Sequence, residues 1–294
     1  MTTLVSTPPV AATATFPASA DVEAIIRLAL DEDIGRGDIT TESAVPPGAT
    51  ASAEVLQKAP GVVCGLPVVE AVFEAIDRRV EVSREVEEGS YATDRRRVVA
   101  RVHGPAEAIL SGERTALNFL QRLSGVATAS HTASRLVAGT RARVIDTRKT
   151  TPGLRVLEKY AVRVGGASNH RAGLDDGFLI KENHIRAAGG ITPAVSAAMH
   201  RAAPGQVVEV EVTTVAELDE ALRAGARLIL LDNFSVDLLR QAVSQTRGRA
   251  RLEASGGITL DNLAEVARTG VDFVSLGALT HSAGVLDFSL EVLV

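Results

Sequence analysis

Six short apolar runs in the second half of the chain each end in residues with chemical potential. In order, these are Asp146-Thr147-Arg148-Lys149, Lys181-Glu182-Asn183-His184, Glu209 with Glu211, Asp232-Asn233, Ser255-Gly256-Gly257 and Gly277-Ala278. Basic groups come first, carboxylates in the middle and glycines last. Guanidinium forks and ammonium groups suit carboxylates and phosphates. Glycine turns let backbone N–H groups approach an anion closely, because no Cβ intervenes. Either glycine turn alone reads equally as an ordinary entry into a helix.

The middle carboxylates have two readings. Glu211 and Asp232 each end an apolar run, where an unpaired charge is costly. They could hold ribose hydroxyls or an Mg2+ ion carried by a diphosphate, or simply pair with Lys149 or Lys181. His170 lies directly before Arg171 in a glycine-rich stretch, which draws a residue type that is usually structural toward the site. Arg114, in Gly112-Glu113-Arg114, opens a helix far upstream, and its spacing alone makes it a surface residue.

Charge supports a pocket for a small polyanion. Between Arg141 and Lys181 there are nine Lys or Arg and four Asp or Glu, a local +5 in a chain of net −5, so the remainder carries −10. A solvated Arg-rich helix face would give the same count. The overall acidity argues against a general nucleic-acid binder. Gly165-Gly166 follows no nucleotide-fold strand, so there is no dinucleotide fingerprint. His131, His184, His200 and His281 lack metal-ligand spacing, and no Gly-x-Ser-x-Gly elbow is present.

These residues must be positioned by repeated βα units. The runs Val144-Ile145, Phe178 to Ile180, Val207 to Val212, Leu228 to Leu231, Leu252 to Ala254 and Phe273 to Leu276 are continuous rather than alternating, as for strands buried on both faces. Between them, Val215 to Ala224 and Leu260 to Thr269 have helical periodicity and end at Gly225 and Gly270. Six such units favour a (β/α) barrel, whose functional residues sit at the C-terminal strand ends. The expected division is a flexible tail at 1–20, an N-terminal α+β domain at 21–125 with its boundary near Ser124-Gly125, and a barrel at 126–284. Residues 285–294 could return to the first domain. Cys64 is the one cysteine, so no internal disulfide forms. The first residues lack a basic region and a continuous apolar stretch, and no run approaches the ~20 apolar residues of a membrane helix. The expectation is a cytoplasmic protein.

The long motifs resemble one family. Asp146 to Gly153, Lys159-Tyr160-Ala161-Val162, Gly165-Gly166, Asn169-His170-Arg171, Leu179-Ile180-Lys181 with Asn183-His184, Glu209 to Val212, Leu231-Asp232-Asn233 and Glu253 to Ile258 are similar to quinolinate phosphoribosyltransferases. Upstream, Glu32 to Asp38 and Gly112 to Asn118 also match. The resemblance implies an α/β fold with an incomplete (β/α) barrel plus an N-terminal α+β domain. The implied enzyme transfers phosphoribose from 5-phosphoribosyl 1-diphosphate to quinolinate with Mg2+, releasing diphosphate and CO2 and giving nicotinate mononucleotide. It implies a homodimer in which Arg114 reaches across to quinolinate, against the spacing-only reading. Arg148, His170, Arg171 and Lys181 would hold the quinolinate carboxylates. Thr147, Lys149, Glu211 and Asp232 would lie around ribose and diphosphate, with Lys149, Glu211 and Asp232 catalytic. Ser255, Gly256, Gly257, Gly277, Ala278 and His281 would surround the 5′-phosphate. Rivals within the fold are a nicotinate-type transferase and a molybdenum-transport relative. Outside this chemistry stand a sugar-phosphate lyase or isomerase, and a non-catalytic binding protein.

Overall fold

The buried apolar runs form six parallel strands, in spatial order Arg143–Ile145, Phe273–Ser275, Arg251–Ser255, Leu228–Asp232, Val208–Val212 and Phe178–Ile180. The computed structural model describes residues 14–94 and 96–293. The sheet is open between its first and last strands, as in an incomplete barrel. In-register pairing puts Ser255 beside Asp232 and Glu211 beside Leu230, so the C-terminal ends of neighbouring strands emerge together. Intervening helices form where sequence supplies caps. Thr214 accepts from the Glu217 backbone while the Glu217 carboxylate accepts from the Thr214 backbone, a reciprocal box opening Val215–Arg223. Leu218 and Ala221 on its inner face are fully buried.

The chain divides into two compact units. One comprises Thr132–Lys149 and Ala167–Ala278, and holds the parallel sheet. The other comprises residues 14–131, Thr150–Gly166 and the stretch from Leu279 onward. Its four antiparallel strands are ordered Phe288–Leu293, Thr50–Gln57, Arg97–Pro105 and Glu81–Arg84. The final strand thus pairs with the N-terminal sheet, Leu290 against Val55.

The helix Ala106–Leu136 runs unbroken through the expected boundary at Ser124-Gly125. Gly125 serves close packing there, since a Cβ on it would fall 1.9 Å from the Gly284 carbonyl oxygen. Two other expectations about the divisions change. The tail reading also ends too late. Ser19 caps the Ala20–Ile34 helix, and the Phe16 ring packs edge-on against Tyr160 at 5.4 Å. Residues 1–13, the rest of that expected tail, lie outside the described residues. Finally, the Arg155–Val164 helix and the segment from Leu279 belong with the antiparallel unit.

Within that unit Arg122 donates through Nε and Nη2 to the fully buried Glu158, and through Nη1 to the Ala283 carbonyl. Glu158 in turn accepts from the Thr151 backbone and hydroxyl. A buried ion pair needs such additional partners to offset its desolvation.

Candidate active site

The strand ends of the parallel unit bring together most of the residues singled out by sequence. Asp146, fully buried just past its strand, accepts from the Asn169 amide at 2.7 Å and the His170 backbone N–H at 2.8 Å. It thereby fixes the Asn169–Arg171 turn. His170 is bonded at both ring nitrogens: Nδ1 accepts from the Arg171 backbone at 2.7 Å and Nε2 lies 2.8 Å from Glu209 Oε2. An accepting Nδ1 places the proton on Nε2, a tautomer assigned from the hydrogen-bond network. In that tautomer His170 donates to Glu209 through Nε2.

Arg171 is half-buried and donates through Nη1 to the Gly177 carbonyl at 2.9 Å. Its Nε is buried without a hydrogen-bond partner. Burial, followed by the like charge of Arg148, pulls the Arg171 guanidinium below its ordinary pKa, with Glu209 and Asp176 opposing. Two mutually repelling guanidiniums removed from water form a strong anion-binding arrangement.

Lys181 follows the Phe178–Ile180 strand directly and donates its backbone N–H to His184 Nδ1. Its ammonium pairs with Glu211 at 3.1 Å. The plainer of the two readings of Glu211 is therefore realised, with Lys181 as the partner. Half of the Lys181 side chain is exposed, so the pair contributes little stability and can be exchanged for a ligand.

Next along the sheet, Asp232 Oδ2 accepts from the Asn233 side-chain amide at 2.8 Å. Asn233 is left-handed, φ 57°, and its backbone N–H donates to the Ser255 carbonyl. Gly256 and Gly257 follow with φ 86° and 62°, conformations that side-chain-bearing residues rarely adopt. Thr147 accepts from the Lys149 backbone at 3.1 Å. Gly277 precedes the short helix Ala278–His281. Arg114 is exposed and lies in the other unit, beside Asp33, Asp38 and Ser111, and His281 belongs to that unit too.

Sequence reasoning gave no role to Glu209, Glu253 or Asn233. Glu209 and Glu253 are about 1% exposed in the middle of their strands. Burial pushes the Glu209 carboxyl up to about 7, against a hydrogen bond from Glu253 and the charge of Arg171. Burial and the neighbouring Glu209 charge push Glu253 well above the usual range, opposed by His170. Each has a second oxygen, Oε1, with no donor in the protein among the described residues. A hydrogen bond between two carboxyls requires a proton held between them.

That proton has a consequence for stability. A carboxyl raised from 4.5 to about 7 on folding stabilises the fold fully below 4.5 and loses that contribution as pH rises through 7. The thermal midpoint of the wild type should therefore fall relative to Glu209→Gln between about pH 5 and pH 8. Parallel pH profiles for the two proteins would show that Glu209 does not titrate in that range.

Two sets of groups could hold a cation. His170, Glu209 and Glu253 have ligand atoms within 4.8 Å of one another, but they are bonded among themselves and include an imidazole. Glu211 and Asp232, on adjacent strand ends, present carboxylate oxygens alone, the donor type Mg2+ takes. That donor set fits a magnesium ion that keeps further oxygen ligands from a diphosphate.

Comparison with known proteins agrees with this architecture. Residues 38–124 match the family model described as quinolinate phosphoribosyl transferase, N-terminal domain, and residues 126–291 match the corresponding C-terminal domain. The chain is 44% identical over 275 residues to a Mycobacterium leprae protein named nicotinate-nucleotide pyrophosphorylase (carboxylating), covering 91% of this chain and 95% of that one. It is 37% identical over 291 residues to a Nicotiana tabacum protein named quinolinate phosphoribosyltransferase (decarboxylating) 1b, covering 92% and 82%. A solved nicotinate-nucleotide pyrophosphorylase from Francisella tularensis superposes with a TM-score of 0.89 at 40% identity, over 93% of this chain and 96% of that one. No described helix is long and apolar enough to cross a membrane. The chain belongs to the quinolinate phosphoribosyltransferase family.

Proposed function

We infer that this protein transfers the phosphoribosyl group of 5-phosphoribosyl 1-diphosphate to quinolinate and decarboxylates the product to nicotinate mononucleotide. The observation that carries this reading is the half-buried Arg171 guanidinium beside Arg148, with Lys181 near the same carboxylates. Two ring carboxylates supply the charge that such a cluster offsets. Nicotinate, with one carboxylate fewer, would leave a buried cation unmatched, a loss of about 1–3 kcal/mol.

The reaction follows from charge. Departure of diphosphate breaks the ribose C1–O bond and leaves positive charge on C1 and the ring oxygen. Glu211 and Asp232, held by Lys181 and Asn233, are the carboxylates suited to stabilise that charge or to orient the ribose hydroxyls. Lys149 offsets charge on the departing diphosphate. The pyridine nitrogen then donates its lone pair to C1 and becomes cationic. Electrons of the adjacent C–carboxylate bond flow into that ring as CO2 leaves, and the resulting ring carbanion takes up a proton. No step requires a covalent nucleophile from the protein. Gly256, Gly257 and Gly277 leave room for the 5′-phosphate against backbone.

Glu211 and Asp232 would also hold the Mg2+ ion, which supplies charge neutralisation at the diphosphate. The resemblance in the long motifs implies a homodimer whose active site takes Arg114 from the second copy, and a cytoplasmic setting suits a biosynthetic enzyme with these substrates.

Incubation with quinolinate, 5-phosphoribosyl 1-diphosphate and Mg2+ should release CO2 and nicotinate mononucleotide in equal amounts. Nicotinate in place of quinolinate should react at a small fraction of that rate. Absence of both products, or equal turnover of nicotinate, would overturn the reading.

A further inference from the structure

The pair Glu209–Glu253 has no part in the chemistry above, yet it occupies the interior of the parallel sheet. Leu or Ile at these positions would fill the same space without desolvating a carboxyl, and replacing buried polar pairs by apolar residues is often stabilising. Their contacts point to another use. Glu253 Oε2 lies 3.9 Å from His170 Nε2, and the carboxyl oxygens of Glu253 and Glu209 approach within 4.8 Å. Glu209 accepts a hydrogen bond from His170 Nε2 at 2.8 Å, and His170 Nδ1 accepts from the Arg171 backbone N–H at 2.7 Å. From the opposite side Asp146 holds the same turn through Asn169 and the His170 backbone. The Arg171 head makes a single protein hydrogen bond, to the Gly177 carbonyl, among the described residues. Its aim therefore depends on where its backbone is held.

We propose that Glu253 is a positioning residue for the dicarboxylate substrate, acting through Glu209 and His170 to fix the Asn169–Arg171 turn and so aim the Arg171 guanidinium. The inference rests on the proposed use of Arg171 in quinolinate binding. Glu253 itself is too deeply buried to touch substrate, and its strand neighbour Ser255 lies nearer the strand end. The links from Glu209 to His170 and from His170 to the Arg171 backbone are hydrogen bonds between buried or half-buried groups, where an unmade bond is expensive, and the Glu253 carboxyl sits within 4.8 Å of both His170 and Glu209. Removing the Glu253 carboxyl leaves Glu209 free to turn away from His170. The turn then loses its anchor through the His170 ring, while the phosphoribosyl side of the site, held by Asn233 and Ser255, is untouched.

Steady-state kinetics on the full chain, varying each substrate in turn, test this. Glu253→Leu should raise KM for quinolinate at least about tenfold and leave KM for 5-phosphoribosyl 1-diphosphate within about twofold. Its thermal midpoint should equal or exceed that of the wild type. Glu253→Gln should return KM for quinolinate to within about threefold of wild type, since its amide N–H donates to Glu209 as the shared proton does. If Glu253→Leu gives no folded protein, Glu253→Ala is read by the same criteria. A merely structural role would lower the active fraction, and hence apparent kcat, with both KM values unchanged. That result, or an equal rise in both KM values, or no rescue by Gln, overturns the proposal. Failure of the underlying reading is separate: it would appear as no quinolinate turnover by the wild type.

Discussion

Arg171→Ala is expected to lower kcat/KM for quinolinate by about a hundredfold to a thousandfold, the range found when one partner of a desolvated charge pair is truncated. The free protein should not be weakened to match. Arg171 is held below its ordinary pKa by burial and by Arg148, which means that its charge is unfavourable where it stands. Deleting it relieves that repulsion and sacrifices one hydrogen bond, to the Gly177 carbonyl. The thermal midpoint without substrate should accordingly stay near the wild-type value or rise. Loss of activity with retained stability is the signature of a group kept for ligand binding at some cost to the fold. Arg171→Lys keeps the charge without the planar fork and should recover only part of the loss. Kinetics for both variants, paired with thermal unfolding, decide the matter. Unchanged kcat/KM in Arg171→Ala would remove this residue from the substrate site, and a loss explained by unfolding at the assay temperature would give it a structural role.

Much of this site is legible in the sequence because strand ends and strand interiors obey different rules. Continuous runs such as Leu228 to Leu231 announce strands buried on both faces, and the polar residues that close them fall at the functional end of the sheet. Arg148, Lys181, Glu211 and Asp232 are found this way. Glu209 is singled out beside Glu211 but gains no role, and Glu253 is passed over inside its strand, because their partner His170 is brought to them only by tertiary structure. His170 and Glu209 are 39 residues apart, and no spacing rule links them. The alternation Glu209-Val210-Glu211-Val212 held a usable signal, since residues two apart share a face and Glu211 was already placed in the site.

The role of Gly125 is hidden for a related reason: it answers to a packing contact from a segment about 160 residues later, the Gly284 carbonyl. Asn233 is the reverse case. It stands with Asp232 at a strand end but gains no role from the sequence, while in its left-handed conformation its amide steadies the Asp232 carboxylate.

The glycine turn offers the sharpest separation of backbone strain from contact. Gly256 and Gly257 both have positive φ, so Ala at either position should cost about 1–2 kcal/mol of backbone strain. Their surroundings differ. A Cβ on Gly256 would lie 2.2 Å from Asn233 Oδ1, 2.6 Å from its Cγ and 2.9 Å from its backbone N, whereas a Cβ on Gly257 meets nothing within 4 Å. Gly256→Ala must therefore displace Asn233, and with it the hydrogen bond that holds Asp232. Overpacking of this kind adds about 1–3 kcal/mol. We expect Gly256→Ala to lower kcat/KM for 5-phosphoribosyl 1-diphosphate by about a hundredfold or more, through both the phosphate turn and the displaced carboxylate, and Gly257→Ala by about tenfold. In each variant KM for quinolinate should move far less, because the cations that bind it lie on other strands. Measured side by side, the two variants weigh the Asn233–Asp232 contact against strain alone. Equal losses would mean that Asp232 needs no support from Asn233, and intact phosphoribosyl binding in Gly256→Ala would place the phosphate elsewhere.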